Sequence, residues 1–189
     1  MSQALDFPDR VPELRGGSVC LRELTEDDVP AWFERASDPE SSALSGDPIP
    51  ESIDTCFEWL QLHRERFRDQ KGLRWAIFPK GSTKSVGGIG LSITSKEERI
   101  GDLGAVVARA YWSKGIGTSA AHLVIRYAFN ALGLAEIRAD LLQSNLASKR
   151  VLQKLGFHFV RAIPDYGQSD TGPQDGYLYV LRNQTGTVA

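Results

Sequence analysis

The chain has 189 residues, 41% hydrophobic and 24% charged, with a formal net charge of −2 and a pI near 5.9, which fits one domain with a continuous core and excludes global disorder. So balanced a charge leaves no footprint for non-specific nucleic-acid binding, which depends on Lys and Arg neutralising phosphates. Cys20 and Cys56 have neither metal-ligand nor disulfide-framework spacing, and residues 1–17 hold Asp6, Asp9 and Glu13 without an apolar core, so reduced thiols, no signal peptide, no membrane span and a cytoplasmic setting are expected.

Residues 1–17 read as a flexible amino-terminal tail, 18–182 as a single domain and 183–189 as a carboxy-terminal tail. The first strand is expected at Ser18–Arg22. A helix follows in which Val29, Trp32, Phe33 and Ala36 share a face, Asp27 is the N-cap and Pro30 sits harmlessly in the first turn. Ser41–Pro50 reads as a loop. A second helix runs from about Ile53, with Ser52 as cap, to about Gln70, ended by Gly72; Cys56, Trp59, Leu60, His63 and Phe67 form its apolar stripe, on which His63 reads as a packing residue.

Arg74–Phe78, Val86–Thr94 and Ile100–Ala108 are expected as three strands of an antiparallel meander. A helix from Thr118 carries Ala120, Val124, Tyr127, Ala128 and Ala131 on one face, with Gly133 near its end; Ala135–Leu141 is the next strand. Asn145 can cap a short helix on which Ala147, Val151, Leu152 and Leu155 align, and Gly156 can stop it. Phe157–Arg161 and Tyr177–Leu181 complete the sheet, with Pro164–Gly176 as a flexible connector.

Between the third meander strand and the following helix lies Tyr111-Trp112-Ser113-Lys114-Gly115-Ile116-Gly117-Thr118. The unpaired amides of a helix's first turn and the positive end of its dipole favour an anion there. Gly115 and Gly117 let a diphosphate approach the backbone, and Lys114 adds charge at the rim. An empty glycine-rich turn is the plainer alternative. The loop lacks the Walker A spacing. Gly115-x-Gly117-x-x-Ala120 with Asp140 downstream satisfies a permissive dinucleotide fingerprint, but Arg109–Lys114 intervene after the strand and too little chain follows for further βα units.

Trp112-x-Lys114-Gly115-x-Gly117-Thr118 resembles the coenzyme A loop of the GNAT superfamily of acyl-CoA N-acyltransferases. Asn145-x-Ala147-Ser148-x-x-Val151-Leu152-x-Lys154-Leu155-Gly156-Phe157 resembles that superfamily's second signature, in the same order and separation. The likeness is greatest to the branch of ribosomal-protein amino-terminal alanine and serine acetyltransferases and covers about Ser18 to Arg182. It implies an α+β fold: a mixed, mostly antiparallel twisted sheet of about seven strands flanked by helices, with a splayed central strand pair.

The resemblance also implies acetyl-CoA as cofactor, and direct attack of an amine acceptor on the thioester; no metal is called for. Coenzyme A would be held by the main chain of Val106, Val107 and Ala108, by Trp112, Ser113, Lys114, Gly115, Ile116, Gly117 and Thr118, and by Asn145, Ser148 and Lys154. Asn145 is equally a helix cap. Ser148 could protonate the leaving thiolate or be an ordinary first-turn serine, and Asp102 could act as general base or be a solvated strand-end acid. Lys149 and Arg150 could join Lys154 at the adenosine 3′-phosphate or form a charged helix face, and of Tyr177 and Tyr179 one would pack while the other lines the acceptor cleft. Asp102 stands where this branch often has Glu, and Ala105 where an aromatic residue is common, which implies a more open cleft. The acceptor is expected to be a peptide or protein amino terminus or a small-molecule amine; a homodimer is compatible with the sequence, and a non-catalytic acyl-CoA-binding module is the alternative.

Overall fold

The computed structural model describes residues 5–169 and 172–183. In chain order the elements are β1 (Leu14–Gly16), β2 (Val19–Glu23), α1 (Val29–Ala36), α2 (Pro39–Ser45), α3 (Ile53–Arg68), β3 (Gly72–Pro79), β4 (Gly87–Ser95), β5 (Ile100–Val107), α4 (Ile116–Asn130), β6 (Glu136–Leu142), α5 (Leu146–Lys154), β7 (His158–Ser169) and β8 (Gly172–Arg182). The strands form one eight-stranded sheet ordered β1-β2-β3-β4-β5-β6-β8-β7. The meander β3-β4-β5 is antiparallel, as the alternation predicts.

The two faces of the sheet bury different helices. Leu73, Trp75, Ile77, Ile89, Leu91 and Leu103 point to one side and pack with Ala120, Val124 and Ala128 of α4. On the other side Ala76 and Phe78 of β3 pack with Trp32 of α1 and Cys56 and Leu60 of α3. His63 stacks on Trp32, ring centres 5.8 Å apart, and burial with the charges of Arg74 and Arg66 drives its pKa down to about 4. It is a neutral packing residue, as its place on the stripe implies. No helix among the described residues is long and apolar enough to cross a membrane.

Three segments depart from the sequence reading. The expected amino-terminal tail contains β1, paired to β2. Phe7 lies against Phe67 and Pro12 O accepts from Trp75 Nε1 at 2.7 Å, so residues 5–16 belong to the domain. Ser41–Pro50 is not wholly loop: the Asp38 side chain accepts from Glu40 N–H and Ser41 N–H at 3.0 and 3.1 Å, Pro39 presets the first turn, and α2 continues until Gly46 at φ 76°. Within the supposed connector Pro164–Gly176 the described residues extend β7 to Ser169 and β8 back to Gly172 as paired antiparallel strands, broken between Ile163 and Gly167 by a register shift, while residues 170 and 171 lie outside the described residues; Pro164 is tolerated because β7 is an edge strand. Smaller shifts occur too. The turn after α3 is taken by Gln70 at φ 55°, so Gly72 opens β3 rather than ending the helix, and α4 starts at Ile116, two residues before Thr118. Residues 184–189 of the carboxy-terminal tail lie outside the described residues.

Candidate functional site

β5 and β6 run parallel but pair over only three positions, Ile100–Glu136, Gly101–Ile137 and Asp102–Arg138. Beyond Asp102, β5 stays with β4 to Val107, while β6 follows β8 over seven pairs to Leu142. The two strands therefore part at Asp102 and leave a wedge. Main-chain groups alternate sides along a strand. Ala108 N–H donates to Val86 O at 2.8 Å, which turns Ala108 toward β4 and its neighbour Val107 toward the wedge. Trp112 Nε1 donates to Val107 O at 2.6 Å. Trp112 thus ties the loop to the end of β5; of the three expected main-chain contacts, Val106 and Ala108 turn toward β4, so the wedge is faced by Ala105 and Val107 instead, and the Val107 carbonyl is already engaged.

At the wide end of the wedge stands the amino terminus of α4. Gly115 is its N-cap at φ 76°, ψ 2°, and no side chain caps it. The first ladder bond, Ser119 N–H to Gly115 O at 2.9 Å, leaves the amides of Ile116, Gly117 and Thr118 ahead of it. A Cβ at Gly115 would meet nothing within 4 Å, and one at Gly117 only Val107 Cγ2 at 3.7 Å. The backbone at Gly115 and Gly117 is thus open on its Cβ side, beside amides that no side chain caps. Ser113, Lys114 and Gly115 are exposed, and Lys114 Nζ rests 5.3 Å from the Tyr111 ring centre.

The second signature forms the opposite wall. Asn145 caps α5, its Oδ1 accepting from Ser148 N–H at 3.0 Å, and its Nδ2 donates to Leu44 O of α2 at 2.8 Å. Both of its polar atoms are thereby employed in holding structure. Arg109 grips the start of α2 through Asp38 Oδ2 at 3.0 Å and Glu40 Oε2 at 2.6 Å, so α2 is strapped across the wedge at both ends. Ser148 is half-buried in the first turn of α5, whereas Arg150 and Lys154 are exposed. Lys149 turns instead to the Tyr177 ring. Tyr177 and Tyr179, two apart and so on one face, both meet Phe159 and pack with the α4-side core; neither lines a cleft on the α1–α3 side.

Asp102, at the apex of the wedge, is half-buried, and among the described residues its Oδ1 has no hydrogen-bond partner. Burial and then the charge of Asp140 hold its pKa above the ordinary 3.8, against an opposing pull from Arg138. Tyr166 of β7 donates to Asp140 Oδ2; burial first, then this bond, push its phenol well above its usual range. Tyr166 fits because its ring lies over Gly176, where a Cβ would come within 2.4 Å of Tyr166 Cγ. Nothing local in the sequence marks Tyr166 or this use of Asp140, since the two meet across 26 residues and Pro164–Gly176 reads as a connector.

The sequence matches the family described as "Acetyltransferase (GNAT) domain" over residues 18–158. It is 28% identical over 170 residues to the uncharacterized N-acetyltransferase YoaA of Bacillus subtilis (strain 168), covering 90% of this chain and 96% of that protein. It is 33% identical over 152 residues to the alpha/beta-tubulin-N-acetyltransferase 9 of Mus musculus, covering 76% and 63% respectively. Among solved structures, RimJ of Mycobacterium smegmatis in complex with CoA-disulfide superposes with a TM-score of 0.82 at 23% identity, covering 99% of this chain and 93% of that one. That last likeness is one of fold.

Proposed function

The chain belongs to the GNAT acetyltransferase family and is an acetyl-CoA-dependent N-acetyltransferase, and we propose that its acceptor is the primary amine of a peptide or protein amino terminus, or of a weakly basic small molecule. The observation that carries this reading is the wedge that opens at Asp102 and ends before the uncapped amides of α4. Acetyl-CoA supplies an activated acyl thioester. In this reading the amides of Ile116, Gly117 and Thr118, with Lys114 at the rim, hold its diphosphate, and the main chain of Ala105 and Val107 lines the path of its pantetheine arm. An amide of β5 polarises the thioester carbonyl.

The remaining work is proton movement. Asp102 takes a proton from the incoming ammonium through water; as the tetrahedral intermediate collapses, the Ser148 hydroxyl protonates the leaving thiolate and regains a proton, through water, from the nitrogen that becomes the amide. An α-amino group, with a reference pKa near 7.7–8.0, is already partly neutral at pH 7, whereas a lysine near 10.4 asks more of a single half-buried carboxylate. The amino terminus is therefore the easier acceptor.

Incubating the purified chain with acetyl-CoA and a panel of amines and amino-terminal peptides should release free coenzyme A in step with the mass of monoacetylated product. Tight cofactor binding with no turnover on any acceptor would instead make the chain an acyl-CoA-binding module. In the same assay Ser148→Ala is expected to lower kcat by roughly 10²-fold, the low end for a general acid, with cofactor affinity unchanged; an unaltered rate removes Ser148 from that role.

A further inference from the structure

The face of β4 turned toward α1 and α3 carries no side chains at two successive positions, Gly88 and Gly90, and Gly104 lies opposite Gly90 on β5. Two arginine heads rest above this bare floor. A Cβ built on Gly90 would lie 3.0 Å from Arg74 Nη1, and one on Gly88 would lie 3.2 Å from Arg74 Nη2 and 3.7 Å from Arg35 Nη2. Both guanidinium groups thus converge on one spot of the sheet. Arg35, from α1, is only 6% exposed, and its hydrogen bond is a long one, Nη1 to Ala31 O at 3.5 Å. Arg74 Nε is sealed from solvent and, among the described residues, has no hydrogen-bond partner. Among the described residues neither arginine is in an ion pair.

Burying a charge is costly unless it is paired, and two neighbouring guanidinium groups worsen each other's position. Burial, then the charge of Arg74, lowers Arg35 to about 10, and burial lowers Arg74 while Asp47 supports it. Asp47 is exposed on the α2–α3 connection and forms no bond to Arg74. His63 beside them is neutral. The buried carboxylate of Asp28 also favours the Arg35 charge, but it is bonded to Arg22; among the described residues no carboxylate contacts either guanidinium, and the planar fork of arginine is matched by a carboxylate.

We propose that Arg35 and Arg74 form a carboxylate-binding subsite of the acceptor cleft, so that the preferred acceptor carries a carboxylate at a fixed distance from its reacting amine. This rests on the acetyl-transfer reading above. The subsite lies over β4, and the wedge opens beyond β5, so one to two strand spacings separate them, roughly 5–10 Å. One residue of extended chain spans about 3.3–3.6 Å, which places the carboxylate on the second residue of a peptide rather than on the amino acid being acetylated. It can come from an acidic second side chain or from the terminal carboxylate of a dipeptide. The opposite end of the cleft, with Asp102 and Asp140, suits the ammonium group.

Two paired comparisons test this with the full chain. Initial rates are measured for alanyl-glutamyl-alanine amide against its glutamine isostere, and for alanyl-alanine against its amide. The acetylated forms of the same four compounds are titrated calorimetrically in the presence of coenzyme A, where no reaction can occur. A preference of roughly tenfold or more for the carboxylate member of a pair is expected, expressed in KM and in the titration; the pair that shows it identifies the source. Arg74→Gln should erase the preference, bringing the two members of the pair to the same KM and the same affinity in the titration, with an equal or higher thermal midpoint, because it removes a part-buried charge that has no ion pair among the described residues. Arg74→Lys should keep part of it. Equal affinity for the members of both pairs in the titration overturns the proposal, even if all four free amines are acetylated. A preference in the titration without coenzyme A release from any free amine upholds the subsite and defeats the acetyl-transfer reading instead.

Discussion

Replacing Gly115 with glutamate is expected to weaken coenzyme A binding at least a hundredfold, about 2.7 kcal/mol, while leaving the far-ultraviolet circular dichroism unchanged. A Cβ at this position has nothing within 4 Å to strike, so the substitution does not collide with the fold. Its cost to folding is the left-handed backbone at φ 76°, about 1–2 kcal/mol against a typical stability of about 5–15. Its cost to binding is larger. A carboxylate at the mouth of α4 occupies the space in front of the amides of Ile116, Gly117 and Thr118, can accept from them itself, and repels a diphosphate. Gly115→Ala carries the same backbone strain without charge or reach and should lose far less affinity. A calorimetric titration of both variants separates strain from exclusion, and undiminished affinity in the glutamate variant would mean that the nucleotide is held somewhere other than this helix terminus.

What could be read from the sequence follows how local each feature is. The loop before α4 and the cap of α5 are written within a few residues, because a glycine's freedom at positive φ and an asparagine's reach to the third amide on depend on neighbours alone. The splay of β5 from β6 came from the likeness of Trp112–Thr118 and Asn145–Phe157 to a known family, since no spacing encodes where two strands part. The strap formed by α2 is hard to read because the helix-start signal Asp38-Pro39 is followed by Ser, Pro and Gly content typical of a loop. Arg35 and Arg74 stayed hidden because their convergence depends on the register of β3 with β4 and on the seat of α1. A signal did exist: Gly87, Gly88 and Gly90 within one apolar strand weaken it as a strand and mark a surface that something must approach closely.

Asp102→Asn should reduce kcat/KM at pH 7 by roughly 10²–10³, the contribution of a positioned general base, with coenzyme A affinity unaffected. The shape of the pH profile says more than the loss. In the unmodified enzyme the rate rises with pH as the Asp102 carboxyl ionises, at a pH above the ordinary carboxylate value of 3.8 because burial and then Asp140 disfavour the charge. With asparagine no carboxylate receives the proton, so only amine that is already neutral reacts, and the rate keeps climbing toward the amine's own pKa, near 7.7–8.0 for an amino terminus. The deficit should therefore narrow as pH increases. Asp140→Asn should act in the opposite sense on the base itself: an amide can still accept from Tyr166, but the like charge is gone, so Asp102 ionises at lower pH and the acidic limb moves down with the plateau retained. If Asp102→Asn leaves both rate and profile untouched, the proton leaves by another route, and the carboxyl without a described hydrogen-bond partner at the apex of the wedge is only a strand-end acid.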